Sequence, residues 1–212
     1  MRTFRIVLWT VVAGAAGLLA YLSVDFALHG PAAERRANGL PAARVTPMPQ
    51  VGGAFQAVRA DGTAITRDDM LGRPHAIFFG FTNCPDVCPT TLYEASQWLQ
   101  ALGEEAGALD IYFVSVDPAR DTPEVLASYL SPFDPRIVGI TGSQAQIDDM
   151  AAKYRVFVER QGEGRDYNVN HTATTFLVDA QGRMFGTIAY GEDNETAIRK
   201  LTRLARSAAA TS

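Results

Sequence analysis

Two short runs of apolar residues place the strongest constraint on the fold of this chain. HAIFFGFT, His75 to Thr82, and LDIYFVSVD, Leu109 to Asp117, are almost continuously apolar, which is typical of strands buried on both faces of a sheet. Between them, from Pro89 onward, apolar residues recur at helical spacing. Strands that alternate with helices imply a central sheet with parallel strands and helices on its faces. The fold class is therefore α/β.

The other elements follow from turn and capping signals. Asp61-Gly62 is the turn of an N-terminal hairpin, and Gln181-Gly182 closes a second hairpin near the end of the chain. Ser143 and Gln146 form a capping box at the start of one helix. The last helix is expected to begin near Asn194. The predicted order is hairpin, β-α-β-α-β-α, hairpin and helix.

The N-terminus contains nineteen consecutive residues without a charge, Ile6 to Val24, about as many as a bilayer core requires. A cleaved signal peptide is the alternative, but its apolar region would be shorter. Arg2 and Arg5 precede the run, which predicts a single-pass anchor with a cytoplasmic N-terminus. Because the start lacks an Arg/Ser-rich transit segment, the expected host is a bacterial inner membrane. The expected organisation is an anchor over residues 1–24, a flexible spacer over 25–50, a periplasmic domain over 51–206 and a disordered tail over 207–212.

The charge of the expected domain argues against one class of partner. Residues 51–212 carry 14 basic and 21 acidic side chains, a net charge of about −7. A nucleic-acid-binding surface is normally basic, so nucleic acid is not an expected partner.

Both cysteines of the chain, Cys84 and Cys88, lie directly after the first buried strand, where ligands collect in α/β sheets. A static disulfide is one interpretation, but so short a loop gains little stability from a bridge. Reversible thiol-disulfide exchange is the second, because a helix N-terminus favours the thiolate form. Metal binding is the third, since two thiolates suit Cu(I) and an added imidazole would also accept Cu(II).

The metal interpretation depends on an available histidine, and the chain has three. His29 lies in the spacer, and His75 is expected to pack at the start of a buried strand. His171 ends the polar, glycine-rich segment QGEGRDYNVN, interpreted as a loop, and precedes an apolar strand. Functional side chains concentrate at such element ends. Spacing alone does not decide between a structural His171 and a ligand.

Four segments of the chain closely resemble the SCO/SenC copper-chaperone proteins. They are VGGAFQ with DGTAIT, then FFGFTNCPDVCPTTL, VSVDPARDTPEVLASYL and NHTATTFLVDAQG, and they occur in the order that the family has. The resemblance extends from about Val51 to Arg206. It implies a thioredoxin-like fold with the N-terminal hairpin, preceded by one transmembrane helix.

The resemblance also implies a ligand set and a task. Copper, as Cu(I), Cu(II) or both, would be held by Cys84, Cys88 and His171. The protein would help assemble the CuA centre of cytochrome c oxidase subunit II, either by delivering copper or by reducing the CuA cysteines. In the second case Cys84 and Cys88 would be the catalytic thiols of an oxidoreductase. Other periplasmic copper carriers or thiol reductants would be further partners, and a redox or copper sensor is the remaining alternative.

This chain differs from many family members at two positions beside the site. Asn170 stands directly before His171 where many members have Asp, and Asn83 stands before Cys84. Asp117 and Asp121 belong to the family motif, and we expect them to act as a strand end and a helix cap, with Thr122 as the alternative cap. Thioredoxin-type reductases and peroxiredoxins are disfavoured, because the chain has CxxxC, no proline after Pro135, and Thr82 only two residues before Cys84.

Overall fold

The computed structural model describes residues 18–25, 50–163 and 166–209. The chain forms two compact units, Met1–Pro47 and Met48–Ser212. In the first unit residues 18–25 are helical, and residues 6–17 of the predicted anchor and 26–49 of the predicted spacer lie outside the described residues. Within the described ranges, no helix combines the length and apolarity needed to cross a bilayer.

The second unit is built on a seven-stranded mixed sheet with the strand order β2-β1-β5-β4-β3-β8-β9. A separate two-stranded sheet is formed by β6 and β7. The strands are β1 Gln56–Arg59, β2 Ala64–Thr66, β3 His75–Gly80, β4 Asp110–Ser115, β5 Ile137–Thr141, β6 Val158–Glu163, β7 Asp166–His171, β8 Thr174–Val178 and β9 Met184–Ala189.

The centre of the sheet is parallel, as the two apolar runs predict. β3 pairs with β4 in parallel, with His75 opposite Asp110 and Gly80 opposite Ser115, and β4 pairs with β5 in the same sense. Every residue of β3 is buried. The outer strands β1, β8 and β9 run antiparallel to their neighbours. Because β3 and β4 end at the same edge, the loops that follow them lie side by side.

Four α-helices connect or follow the strands: α1 Val87–Leu102, α2 Pro123–Leu130, α3 Gln144–Lys153 and α4 Asn194–Ala209. Two 3-10 helices, Asp68–Met70 and Gly103–Ala108, complete the described elements. The capping box predicted for α3 is present, since the Ser143 hydroxyl accepts from the Gln146 N–H and the Gln146 side chain accepts from the Ser143 N–H. α1 packs against α4, where the Trp98 indole donates to Asn194 Oδ1 at 2.9 Å. α4 continues to Ala209, because alanines favour helix, and so includes three residues of the expected tail.

One element is missing from the sequence-based order. The segment before His171 is not a loop. β6 and β7 pair there as an antiparallel hairpin, in a register that runs from Val158 opposite His171 to Glu163 opposite Asp166. The interpretation as a loop was wrong for a physical reason. The hairpin stands outside the main sheet and buries only one face, so most of its residues remain polar. We call these two strands, residues 158–163 and 166–171, the histidine hairpin.

Candidate metal centre

The two cysteines lie where β3 gives way to α1. Both are free thiols: Cys88 is fully buried in the first turn of the helix, and Cys84 is half-buried in the loop before it. First-turn backbone N–H groups have no partner inside a helix. The Cys88 N–H is satisfied by Cys84 Sγ at 3.5 Å. The helix start therefore holds the two sulfur-bearing residues against each other.

A glycine makes room for the buried thiol. Gly80 is the last residue of β3, and a Cβ atom placed on it would lie 2.8 Å from Cys88 Sγ. The same atom would lie 2.7 Å from a ring carbon of Phe113. Contacts this short are repulsive, so any larger residue would push the thiol or the ring away.

The histidine hairpin brings the predicted third residue to the cysteines. His171 ends β7, and its Nε2 lies 3.8 Å from Cys88 Sγ. The half-buried imidazole is flanked edge-on by the rings of Phe81 and Phe78, with centroids 5.8 and 6.2 Å away. His171 and Cys88 are 83 residues apart in sequence, so only the tertiary fold brings them together.

The hydrogen bond on the other ring nitrogen assigns the tautomer of His171. Nδ1 lies 3.1 Å from the Thr172 carbonyl oxygen, and a carbonyl can only accept. Nδ1 therefore carries the proton, and the lone pair of Nε2 faces Cys88 Sγ. Burial lowers the pKa of His171 below its ordinary value of 6.5, which keeps the ring neutral at pH 7. A neutral imidazole whose Nδ1 is bonded to a carbonyl has the form of a metal ligand.

A reactive cysteine has a lowered pKa, whereas the pKa of the buried Cys88 thiol is raised. Burial raises the pKa of Cys88 far above its ordinary value, because the low-dielectric surroundings penalise the thiolate. Without a bound cation, Cys88 is therefore a protonated thiol at neutral pH. A metal that displaced this proton would supply the missing positive charge.

Asp121 has a role that sequence reasoning missed. It is fully buried, and its carboxylate accepts from the Thr82 N–H at 2.9 Å, the Thr82 hydroxyl at 2.6 Å and the Ser115 hydroxyl at 2.5 Å. Asp121 is not the cap of α2. The alternative, Thr122, is the cap, because its side chain accepts from the Val125 N–H. Asp121 instead joins Thr82 to Ser115 at the end of β4. It thereby holds the segment between β3 and α1, residues 81–86, which we call the cysteine loop. The one hint in the sequence of a role for Asp121 was its place in the family motif DPARD, four residues after Asp117.

The remaining candidates lie away from the sulfurs. His75 is buried at the start of β3, edge-on to Tyr112 at 5.5 Å, as expected of a structural histidine. Asn170 is exposed and donates to Glu159 at 3.5 Å. Asn83 is exposed, and His29 lies outside the described residues.

A cleft of about 390 Å³ opens beside Cys84 and His171. A larger groove of about 600 Å³ lies between β1, β2 and α3, and it contains none of the three candidates. Within the part of the chain that the structure describes, no group of three or more His, Cys, Asp or Glu side chains is already drawn together around one point. Nε2 of His171 contacts Cys88 Sγ, and Cys84 Sγ accepts a hydrogen bond from the Cys88 N–H. The cleft is lined by Phe81, Cys84, Pro85, Val87, residues 168–171 and Ala173.

A mixed α/β domain with two thiols at the start of its first long helix, and an imidazole facing them from a hairpin, defines a thioredoxin-like protein with a candidate soft-metal site. Residues 43–206 match the SCO1/SenC family, so the chain belongs to that family. The mitochondrial protein SCO1 of Saccharomyces cerevisiae is 36% identical over 163 residues, which are 75% of this chain and 55% of that protein. This chain therefore spans about half the length of that relative.

Solved structures agree with the fold. ScoI of Bradyrhizobium japonicum, determined with copper bound, is 41% identical with a TM-score of 0.68, over 73% of this chain and 99% of that chain. Yeast Sco1, also determined with copper bound, is 35% identical with a TM-score of 0.69, over 75% of this chain and 90% of that chain. The thioredoxin-like fold implied by the sequence resemblance is confirmed.

Proposed function

We propose that this protein binds one copper ion through Cys84, Cys88 and His171 and acts as a copper chaperone. The observation that carries the proposal is the lone pair of His171 Nε2, which faces the buried thiol of Cys88 at 3.8 Å. Two thiolates and one neutral imidazole form a donor set that suits Cu(I) and also accepts Cu(II). The copper-bound relatives of this fold support the same choice of metal.

The three residues differ in what they contribute. Cys88 would provide a thiolate fixed by the helix and enclosed by Gly80 and Phe113. Cys84 is half-buried at the cleft and would provide the thiolate that an incoming carrier meets first. His171 would approach from the histidine hairpin with its ring orientation fixed by the Thr172 carbonyl. Both thiols must be reduced to bind the ion, so copper loading would depend on the redox state of the pair.

The proposed location rests on the sequence, and the proposed recipient is supported by the family. Residues 6–24 would anchor the protein in a bacterial inner membrane, with the domain in the periplasm. The cargo would be delivered during assembly of the CuA centre of cytochrome c oxidase subunit II. Membership of the SCO1/SenC family supports this assignment.

A second candidate function is thiol-disulfide exchange with the CuA cysteines of the oxidase subunit. One half-buried and one fully buried thiol resemble an attacking and a resolving cysteine. Cys84 thiolate would attack the partner disulfide, and Cys88 would then displace the partner. The products would be a Cys84–Cys88 disulfide and a partner dithiol. This function needs both sulfurs but not His171.

An anaerobic Cu(I) titration of the reduced full-length protein in detergent tests the proposal. His171→Ala and Cys88→Ser variants are compared with His29→Ala, which removes a histidine of the spacer. We expect one tightly bound equivalent in the wild type and His29→Ala, and markedly weaker binding in the other two. Equal affinity in all four proteins would eliminate the three-ligand site. If His171→Ala also binds like the wild type and Cys88→Ser does not, the thiol-exchange function is the better account.

A further inference from the structure

The segment that follows β4 touches both halves of the candidate site. Asp121 fixes the cysteine loop through Thr82, at 2.9 and 2.6 Å. Four residues earlier, Asp117 accepts a hydrogen bond from the Tyr167 hydroxyl of the histidine hairpin. The segment is itself a closed turn, because the Asp121 N–H donates to the Asp117 carbonyl at 3.0 Å. The cysteine loop and the hairpin therefore share one support.

Arg120 completes the contact with the hairpin. It pairs with Asp117, which is fully buried, and donates from Nη1 to the Tyr167 carbonyl at 3.2 Å. Its guanidinium lies 3.9 Å from the centroid of the Tyr167 ring. From the neighbouring strand, Arg160 donates to the Val116 carbonyl at 2.7 Å. All these contacts end in residues 116–120.

Strand geometry connects these contacts to the site. In β7, alternate residues share a face, so Tyr167, Val169 and His171 point the same way. Val169 is buried, whereas Asn168 and Asn170 on the other face are exposed. Tyr167 and His171 are about 14 Å apart along the strand, since each residue advances it by about 3.4 Å. An anchor at Tyr167 thus restrains the end of the strand that carries His171.

We infer that Asp117, Arg120 and Tyr167 form a clamp that positions His171 against Cys88. None of the three reaches the sulfurs, so they act through the hairpin and are positioning residues. The clamp explains why the DPARD motif contains two fully buried carboxylates: Asp121 sets the cysteine loop and Asp117 sets the hairpin. The consequence for metal binding rests on the proposed function, whereas the geometry of the clamp does not.

The sharpest variant is Tyr167→Phe, because it removes the hydroxyl bond to Asp117 and keeps the ring under Arg120. Changes at Asp117 or Arg120 that broke their pair would leave a buried charge unpaired and endanger folding. Arg120→Lys is the second variant, since it keeps the positive charge but loses the planar fork that stacks on Tyr167. Tyr93→Phe, on the exposed side of α1, is the matched control.

The first readout uses the metal-free, reduced, full-length protein with ¹⁵N-labelled histidine. The chain has three histidines, so the spectrum is simple, and His75 in the buried strand β3 is a rigid internal reference. In the wild type we expect the His171 backbone NOE to match that of His75, with the ring in its Nδ1-protonated tautomer. In Tyr167→Phe and Arg120→Lys we expect a lower NOE at His171, averaged ring signals and an unchanged His75.

The second readout is Cu(I) affinity by competition with a chromophoric chelator. We expect Tyr167→Phe to lose about tenfold, the lower end of the effect of residues that orient metal ligands. Tyr93→Phe should bind like the wild type.

If Tyr167→Phe and Arg120→Lys leave both the His171 signals and the affinity unchanged, the clamp is refuted. A lower unfolding stability with an unaltered His171 NOE would also refute it, since the contacts would then be only structural. If copper fails to bind even to the wild type while the NOE changes as expected, the proposed function fails and the clamp stands.

Discussion

At the scale of single residues, Gly80 limits what the site can tolerate. A Gly80→Ala substitution would place a methyl group 2.8 Å from Cys88 Sγ and 2.7 Å from Phe113. Since the core has no room to move the thiol freely, we expect a loss of about 1–3 kcal/mol in the free energy of unfolding. We also expect weaker Cu(I) binding, because Cys88 would shift relative to His171. Urea unfolding and a Cu(I) competition titration measure the two effects.

Gly186 supplies the matched control for Gly80. It also lies in a strand, β9, and a Cβ on it would have no atom within 4 Å. Gly186→Ala should leave stability equal or slightly higher, since alanine restricts the unfolded chain. If the two variants lose the same stability, crowding at Cys88 is not the cause.

His75 predicts a pH dependence that does not involve the candidate site. Burial lowers its pKa from the ordinary 6.5 to about 4, so the native state resists protonation. Between these two values the unfolded chain binds a proton that the native state does not. Stability from His75 is therefore complete above pH 6.5 and falls by about 3 kcal/mol as the pH drops to about 4. Urea unfolding across this range should show a flatter profile for His75→Leu than for the wild type, and equal profiles would contradict the assignment.

At the scale of elements, the accuracy of the sequence-based predictions followed burial. β3 and β4 were predicted because strands covered on both faces are almost wholly apolar. β6 and β7 were missed because Val169 is the one buried residue among those of the two strands whose burial the structure describes, and charged and amide side chains make up most of the rest. The contact of His171 with Cys88 could not be derived from spacing, because it depends on how this hairpin docks.

The capping box of α3 offers a test of an element predicted from sequence and found in the structure. The Ser143 hydroxyl accepts from the Gln146 N–H, and the Gln146 side chain accepts from the Ser143 N–H at 2.8 Å. Ser143→Ala should cost about 1 kcal/mol of unfolding free energy, because a first-turn N–H loses its partner. Ser128→Ala, at an exposed position inside α2, should cost nothing. Equal losses in the two variants would show that the cap does not stabilise α3.

At the scale of the whole molecule, copper loading and folding are coupled if the proposed site is correct. A ligand that binds only the native state stabilises it by about 2.7 kcal/mol when its free concentration is 100 times the dissociation constant. For a domain of this size that corresponds to about 5–10 °C in Tm. We therefore expect Cu(I) to raise the Tm of the reduced protein by this amount, measured by calorimetry under anaerobic conditions.

Oxidation should abolish this stabilisation, because a Cys84–Cys88 disulfide removes two of the three donors at once. The reduced Cys88→Ser variant separates loss of donors from any effect of the disulfide, since it lacks one thiolate but cannot form the bridge. The expected order of copper-induced Tm shifts is a large shift for the reduced wild type, and little or none for Cys88→Ser and the oxidised wild type. A copper-induced shift that survives in the oxidised protein would place the ion elsewhere and would leave the thiol pair as a redox centre. The metal site and the redox pair would then lie at separate positions. If they share one site, the copper-bound form and the disulfide are alternative states of the same two sulfurs.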